Sequence, residues 1–137
     1  MGEWLGCLLG WACVAVAVAK MLAGWWCLVE LRRRWRSVPE LWSVDWLDIV
    51  YRLERELGVT LTAADFEGQP TTARLALTAG QLGELTTAKI RAAGREVPAD
   101  GWERVVVALA EALNVKPRRI TRGSRLYADL GMIYGLD

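Results

Sequence analysis

The stretch Trp42–Leu61, WSVDWLDIVYRLERELGVTL, decides how this chain folds. Its apolar residues recur at intervals of three and four, which is the spacing of one face of an α-helix. Charged residues fill most of the other positions, and Gly58 stands where a glycine commonly ends a helix. The pattern predicts an amphipathic helix followed by a short exit. The apolar stripe of this helix comprises Trp46, Leu47, Ile49, Val50, Leu53 and Leu57.

Composition limits the chemistry available to this chain of 137 residues. It has no histidine, so the commonest general base and metal ligand is absent. The formal net charge of +1 gives no argument for a nucleic-acid partner. The cysteines Cys7, Cys13 and Cys27 all lie in the apolar N-terminal segment, which leaves the rest of the chain without thiols. We therefore predict no metal site, no catalytic residue and no enzymatic activity.

The N-terminal segment Trp4–Val29 predicts a transmembrane helix. Its one charged residue is Lys20. At about 1.5 Å per residue, the distance from Trp4 to Trp26 is roughly 33 Å, close to the hydrocarbon thickness of a bilayer. Arginines follow the segment and no basic residue precedes it, so the positive-inside rule places the C-terminal part in the cytoplasm. A cleaved signal peptide is the rival interpretation, but the chain lacks the basic n-region that such a peptide needs.

These patterns predict an all-α, single-pass membrane protein with the lipid bilayer as one partner. The expected parts are a transmembrane anchor at 1–31, a basic juxtamembrane segment and helix start at 32–41, and a cytoplasmic helical domain at 42–137. The start of the main helix stays open at this stage. A capping box at Ser37–Glu40 would begin the helix at Val38 and place Ser43 one turn inside it. A short turn before Ser43 would instead place this serine at the helix N-terminus.

Capping signals predict two further helices. The box Thr78–Gln81 opens one that continues to about Arg91, and Asp100–Glu103 opens another that ends at Asn114. The segment Glu67–Ala76 contains glycine, proline and threonine and is predicted to be a loop.

Two stretches resemble acyl carrier proteins. Asn114–Gly131, NVKPRRITRGSRLYADLG, is similar to the long loop that follows the first helix of that family, and LERELGVTL is similar to the end of its second helix. In the family the loop precedes the second helix, whereas here the two halves stand in the reverse order. The resemblance implies a circularly permuted acyl-carrier-like helical bundle with the long loop at the C-terminus. The residues that match in the loop are Val115, Ile120, Thr121, Ser124, Leu126, Asp129, Leu130 and Gly131.

The resemblance also implies a function. Counted back from LERELGVTL, Ser43 falls on the serine that carries 4′-phosphopantetheine in the family, although the family's Asp-Ser-Leu stands here as Trp42-Ser43-Val44. The implied protein is a membrane-anchored carrier that holds an acyl group on a phosphopantetheine arm at Ser43. Its implied partners are a phosphopantetheinyl transferase and acyl-transfer enzymes. The residues implied to face these partners are Asp45, Asp48, Glu54 and Glu56.

An alternative hypothesis keeps the fold without the carrier chemistry. The altered motif around Ser43 and the near balance of acidic and basic residues after Ser37 favour a non-enzymatic protein-interaction module of carrier-like fold without a prosthetic group. A dimer is a further option, in which residues 38–91 of one copy pack with 100–137 of another.

Overall fold

The computed structural model describes the backbone of residues 3–36 and 43–133 and, within the first helix, the side chains of residue 14, residues 16–27 and those from 29 onward. These residues form helices and no strand, which confirms the all-α prediction for this part of the chain. The chain divides into two compact units, Met1–Arg33 and Arg34–Asp137. Helix α1 (Glu3–Arg34) makes up the first unit, and its large apolar side chains Met21 and Trp26 are exposed.

The prediction of a transmembrane helix is wrong for the residues that the structure describes. None of the helices there combines the length and the apolar character that crossing a bilayer requires. A span needs roughly 20 consecutive, mostly apolar residues. The prediction of a single-pass topology is therefore corrected, together with the membrane localisation that was derived from it.

Helix α2 (Val44–Leu57) is the predicted amphipathic helix, and the whole predicted stripe is buried. Ser43 has an extended backbone with φ −99° and ψ 158° and is the N-cap, so α2 starts at Val44. The capping box predicted at Ser37–Glu40 lies outside the described residues. Gly58 ends the helix with φ 62°, in the left-handed region that glycine adopts readily, as the sequence predicts.

Helices α4 (Ala79–Ala92) and α5 (Gly101–Ala112) complete the bundle. α5 packs against both α2 and α4, and α2 also touches α4, so α5 is the central helix of the second unit. The predicted cap of α4 is confirmed: Thr78 Oγ1 accepts from the Gln81 amide at 3.2 Å, and Gln81 Oε1 accepts from the Thr78 amide at 2.9 Å. Two 3-10 turns lie in the connections, at Ala63–Asp65 and Pro117–Arg119.

A short helix, α3 (Thr71–Leu75), lies inside the segment predicted to be a loop. Pro70 precedes it, and the fixed φ of proline suits a helix start. The Arg74 guanidinium donates to the Gln69 carbonyl, which ties the end of the helix back to the residue before Pro70. A helix of 5 residues is too short to show an apolar periodicity, which is why the sequence pattern does not predict it.

Two arginines from later in the chain cap the C-terminal end of α2. Arg95 donates to the Gly58 carbonyl at 2.6 Å and to the Leu57 carbonyl at 3.1 Å. Arg104 of α5 donates to the Glu56 carbonyl at 3.2 Å. The last carbonyls of a helix have no partner within the helix and carry the negative end of its dipole, so a guanidinium there is stabilising.

Replacing Gly58 by alanine should lower the free energy of unfolding by about 1–2 kcal/mol, because its φ of 62° strains any residue with a Cβ atom. The new Cβ would also lie 3.0 Å from Arg95 Nη1. Thermal unfolding followed by circular dichroism measures the change. Gly101→Ala is the matched control, since its Cβ would meet Val97 Cγ1 only at 3.8 Å. Equal losses in the two variants would contradict this account of Gly58.

Candidate functional site

Ser43, the predicted attachment residue, lies at the start of α2 with its hydroxyl oxygen engaged. Its Oγ accepts a hydrogen bond from the Trp46 amide at 3.1 Å, and its carbonyl accepts one from the Leu47 amide at 3.1 Å. The first amides of a helix have no partner within the helix, and an N-cap hydroxyl satisfies one of them. Ser43 is only 3% exposed. Its hydroxyl therefore serves the helix and is not presented to solvent.

Three aromatic rings fix the first turn of α2. The Trp46 ring lies 5.3 Å from the rings of Trp35 and Phe66, nearly perpendicular to both, and those two rings are 5.5 Å apart. None of the three is more than 1% exposed. Edge-to-face contacts of this kind add to the free energy of burying the rings. Because the Trp46 amide is the donor to Ser43, the aromatic cluster also fixes the position of that hydroxyl.

The C-terminal loop reaches the same turn of α2. The Ile133 amide donates to Asp45 Oδ2 at 3.0 Å, which joins the C-terminal loop to the first turn of α2. Leu130 and Met132 are buried, and the Met132 amide donates to the Leu126 carbonyl at 3.0 Å. Ile133, two residues after the Asp-Leu-Gly triplet, thus lies against the first turn of α2.

Asp129, the first residue of that triplet, holds the turn of the loop together. Its Oδ2 accepts from the Arg125 backbone amide at 2.8 Å and from Arg125 Nε at 3.1 Å. Its Oδ1 accepts from Arg125 Nη2 at 3.0 Å. The hydrogen bond from the Arg125 guanidinium lowers the pKa of Asp129 below the ordinary value of an aspartate, and the hydrogen bond from the Arg125 backbone amide lowers it further. The ionised carboxylate is therefore the form that the folded loop favours.

The four acidic residues predicted to face partners all make contacts within the chain. These contacts are Asp45 with the Ile133 amide (3.0 Å), Asp48 with Arg52 (2.9 Å), Glu54 with Arg34 (2.8 Å) and Glu56 with Arg55 (2.9 Å). Three of the four carboxylates thus have a guanidinium as their neighbour. Their role in partner binding stays a prediction, but α2 offers little unpaired negative charge with which to fulfil it.

A cleft lies apart from Ser43, along α4. Its volume is about 310 Å³, and its walls combine apolar side chains with two glutamine amides. Ser43 does not line it, so the hydroxyl and the cleft do not form one site. The lining residues are Asp65, Phe66, Gln69, Ala73, Leu77, Gln81 and Leu85.

Other chemistry finds no support among the described residues. Among the side chains that the structure describes, no three acidic or cysteine residues come together in a group that could hold a metal ion. The one thiol whose surroundings are described, Cys27, is free and lies in α1. Ser43 is the one residue predicted to hold a cofactor, and its attachment of a phosphopantetheine arm stays a prediction.

No protein-family model, no curated protein and no solved structure matches this chain. The resemblance to acyl carrier proteins therefore rests on the sequence motifs alone.

Sequence patterns did not reveal several residues that shape the site. Trp35 was part of the predicted juxtamembrane segment, yet it is fully buried against Trp46. Ile133 contributes through its backbone amide, which leaves no signature in a sequence. Arg95 showed no pattern that would have assigned it to the end of α2.

The Asp129–Arg125 contact predicts a pH dependence of stability. The pKa of Asp129 is lower in the folded than in the unfolded chain. The ionised carboxylate therefore adds to the free energy of unfolding above the unfolded pKa, and this stabilisation is lost as the pH falls through the folded pKa. Asp129→Asn should therefore unfold at lower urea concentration at pH 7 and should lose less stability than the natural chain on further acidification.

Carbon-detected NMR titration of the Asp129 carboxyl group tests the cause directly. Arg125→Gln should raise the pKa of Asp129 towards its ordinary value, because both guanidinium hydrogen bonds are removed. An ordinary pKa for Asp129 in the natural chain would contradict the assignment.

Proposed function

We propose that the helical unit is a non-enzymatic protein-interaction module of carrier-like fold, in which Ser43 caps α2 and carries no prosthetic group. The observation that carries the proposal is the burial of Ser43, which is 3% exposed and accepts the Trp46 amide. Attachment of a phosphopantetheine arm requires the serine hydroxyl to enter the active site of a transferase. A buried N-cap hydroxyl reaches such an enzyme only if the first turn of α2 opens.

The arrangement of the helices supports the carrier-like part of the proposal. A permuted bundle requires the C-terminal loop to return to the start of the helix that precedes it in sequence. The Ile133 amide and the Asp45 carboxylate meet at 3.0 Å at this place. The bundle also requires the helix before that loop, α5, to pack against both α2 and α4, as it does.

The carrier is the second candidate function, and one observation favours it. Ser43 lies at the N-terminus of α2, where the resemblance places a modified serine, and Ile133 after the Asp-Leu-Gly triplet donates to Asp45, two residues after Ser43. A phosphopantetheine arm on Ser43 would supply a thiol that holds an acyl group as a thioester. The burial of the hydroxyl and the internal pairing of the acidic residues of α2 weigh against this candidate.

Intact-mass measurement distinguishes the two candidates. We expect no phosphopantetheine adduct on the full chain after co-expression with a broad-specificity phosphopantetheinyl transferase, because the Ser43 hydroxyl is buried. An acyl carrier protein expressed in the same cells is the positive control. A mass gain of one phosphopantetheine that disappears in Ser43→Ala would overturn the proposal and establish the carrier.

The capping role of Ser43 has a separate test. Ser43→Ala removes the acceptor of the Trp46 amide and should lower the free energy of unfolding by about 1 kcal/mol. Ser43→Thr keeps an acceptor oxygen and should lower it less. Chemical unfolding followed by tryptophan fluorescence measures both variants. Unchanged stability in Ser43→Ala would show that the cap contributes nothing to the fold.

A further inference from the structure

Unpaired positive charge collects in one loop of the second unit. Lys116, Arg118, Arg119 and Arg122 follow α5 closely in sequence, and all four are exposed. Among the described residues, no carboxylate forms an ion pair with any of them. Arg125, in the same loop, differs because it pairs with Asp129 at 3.0 Å. We call the four unpaired cations the basic loop surface.

The backbone that carries these cations is held against α4. Ser124 is buried, and its Oγ accepts from the Thr121 amide at 3.0 Å. The Gly80 amide donates to the Arg122 carbonyl at 2.9 Å. A Cβ on Gly80 would lie 2.6 Å from that carbonyl oxygen, so this close approach depends on glycine. A loop that is already ordered loses less conformational entropy when a partner binds to it.

The chemistry of the surface favours carboxylates as its ligands. Arginine presents a planar fork of N–H donors that matches a carboxylate in a bidentate geometry, and the surface has three arginines and one lysine. No carboxylate of the described residues competes for its cations, so a partner need not displace a described ion pair. An acidic protein segment supplies such ligands at short intervals.

Nucleic acid is a poorer match for the same surface. Residues 116–125 include no aromatic side chain on which a base could stack. The Trp102 ring nearby is covered by Arg122, whose guanidinium carbon lies 4.5 Å from the ring centroid. The net charge of the whole chain is only +1, whereas nucleic-acid-binding domains are usually strongly basic.

We propose that Lys116, Arg118, Arg119 and Arg122 form a docking surface for an acidic segment of a partner protein. The inference rests on the proposed function as an interaction module and names its surface and the class of its partner. The predicted partner surface is therefore basic and not acidic. Three of the acidic residues of α2 are paired with arginines, whereas no described carboxylate pairs with the loop cations.

Fluorescence anisotropy with a labelled Glu-Gly repeat peptide tests the proposal on the full chain. The loop variant carries Lys116→Gln, Arg118→Gln and Arg119→Gln. The matched control removes three exposed cations elsewhere and carries Lys20→Gln, Arg36→Gln and Arg91→Gln, so both variants have the same net charge. Circular dichroism should show the same melting temperature for both, since the substituted side chains are exposed.

We expect the loop variant to raise the Kd for the peptide about tenfold, because exposed ion pairs are individually weak and three are removed together. The control variant should stay within about twofold, and added NaCl should weaken binding of the natural chain because salt screens exposed charges. An equal loss of peptide affinity in the two variants would overturn the proposal, because binding would then depend on the net charge of the chain and not on this loop. Absence of peptide binding would overturn it as well.

Two further readouts separate the alternatives. The first readout is the binding of a labelled oligothymidylate with the same charge as the peptide. If it binds the natural chain more tightly than the peptide does, and the loop variant loses that binding, the surface belongs to nucleic acid and the proposal is overturned. The intact mass of the same samples reports on Ser43 independently. Failure of peptide binding with an unmodified Ser43 therefore removes the docking surface and leaves the proposed function standing.

Discussion

The second unit depends on the burial of one face of α2. Trp46, Ile49 and Leu53 on that face are fully buried, and each such side chain contributes about 1.5–3 kcal/mol on leaving water. The face is fixed at its start by the contacts of Trp46 with Trp35 and Phe66. Arginines from later in the chain fix the helix at its end. Since α5 packs against α2, and α4 packs against α5, the placement of the other helices follows from this burial.

The same packing decides where Ser43 lies and what its hydroxyl does. An alignment of motifs places a serine at a position along the chain, but exposure depends on what packs over that position. Here the Trp46 amide takes the hydroxyl as its acceptor, and the side chain is hidden from solvent. A serine can therefore lie at the expected helix start and still be a structural cap, which is why we place the interaction module before the carrier.

Charge pairing separates the two surfaces through which partners could bind. Surface ion pairs add little to stability, but they cancel the field that a partner would meet. The carboxylates Asp48, Glu54 and Glu56 on α2 each have an arginine beside them, whereas Arg118 and Arg119 in the C-terminal loop have no such carboxylate among the described residues. A net charge of +1 conceals this difference, because it counts charges without showing which of them meet.

Local signals in the sequence determined the features that arise within a few residues of each other. The amphipathic spacing of α2, the Gly58 terminus and the Thr78–Gln81 cap were predicted and are confirmed, since helix faces and caps are built by neighbours in sequence. The apolar composition of α1 is also a local signal, but the prediction drawn from it is wrong. It predicted a membrane span, which none of the described helices supports.

Tertiary structure alone decided the contacts that join distant parts of the chain. The Ile133 amide at Asp45 and the Arg95 guanidinium at the end of α2 involve partners that no local pattern connects. The burial of Ser43 and the absence of a described carboxylate beside the loop cations likewise depend on which elements pack together. Hydrogen bonds and ion pairs between distant residues are set by the position of helices in space, and a sequence records that position only through the combined burial of their apolar faces.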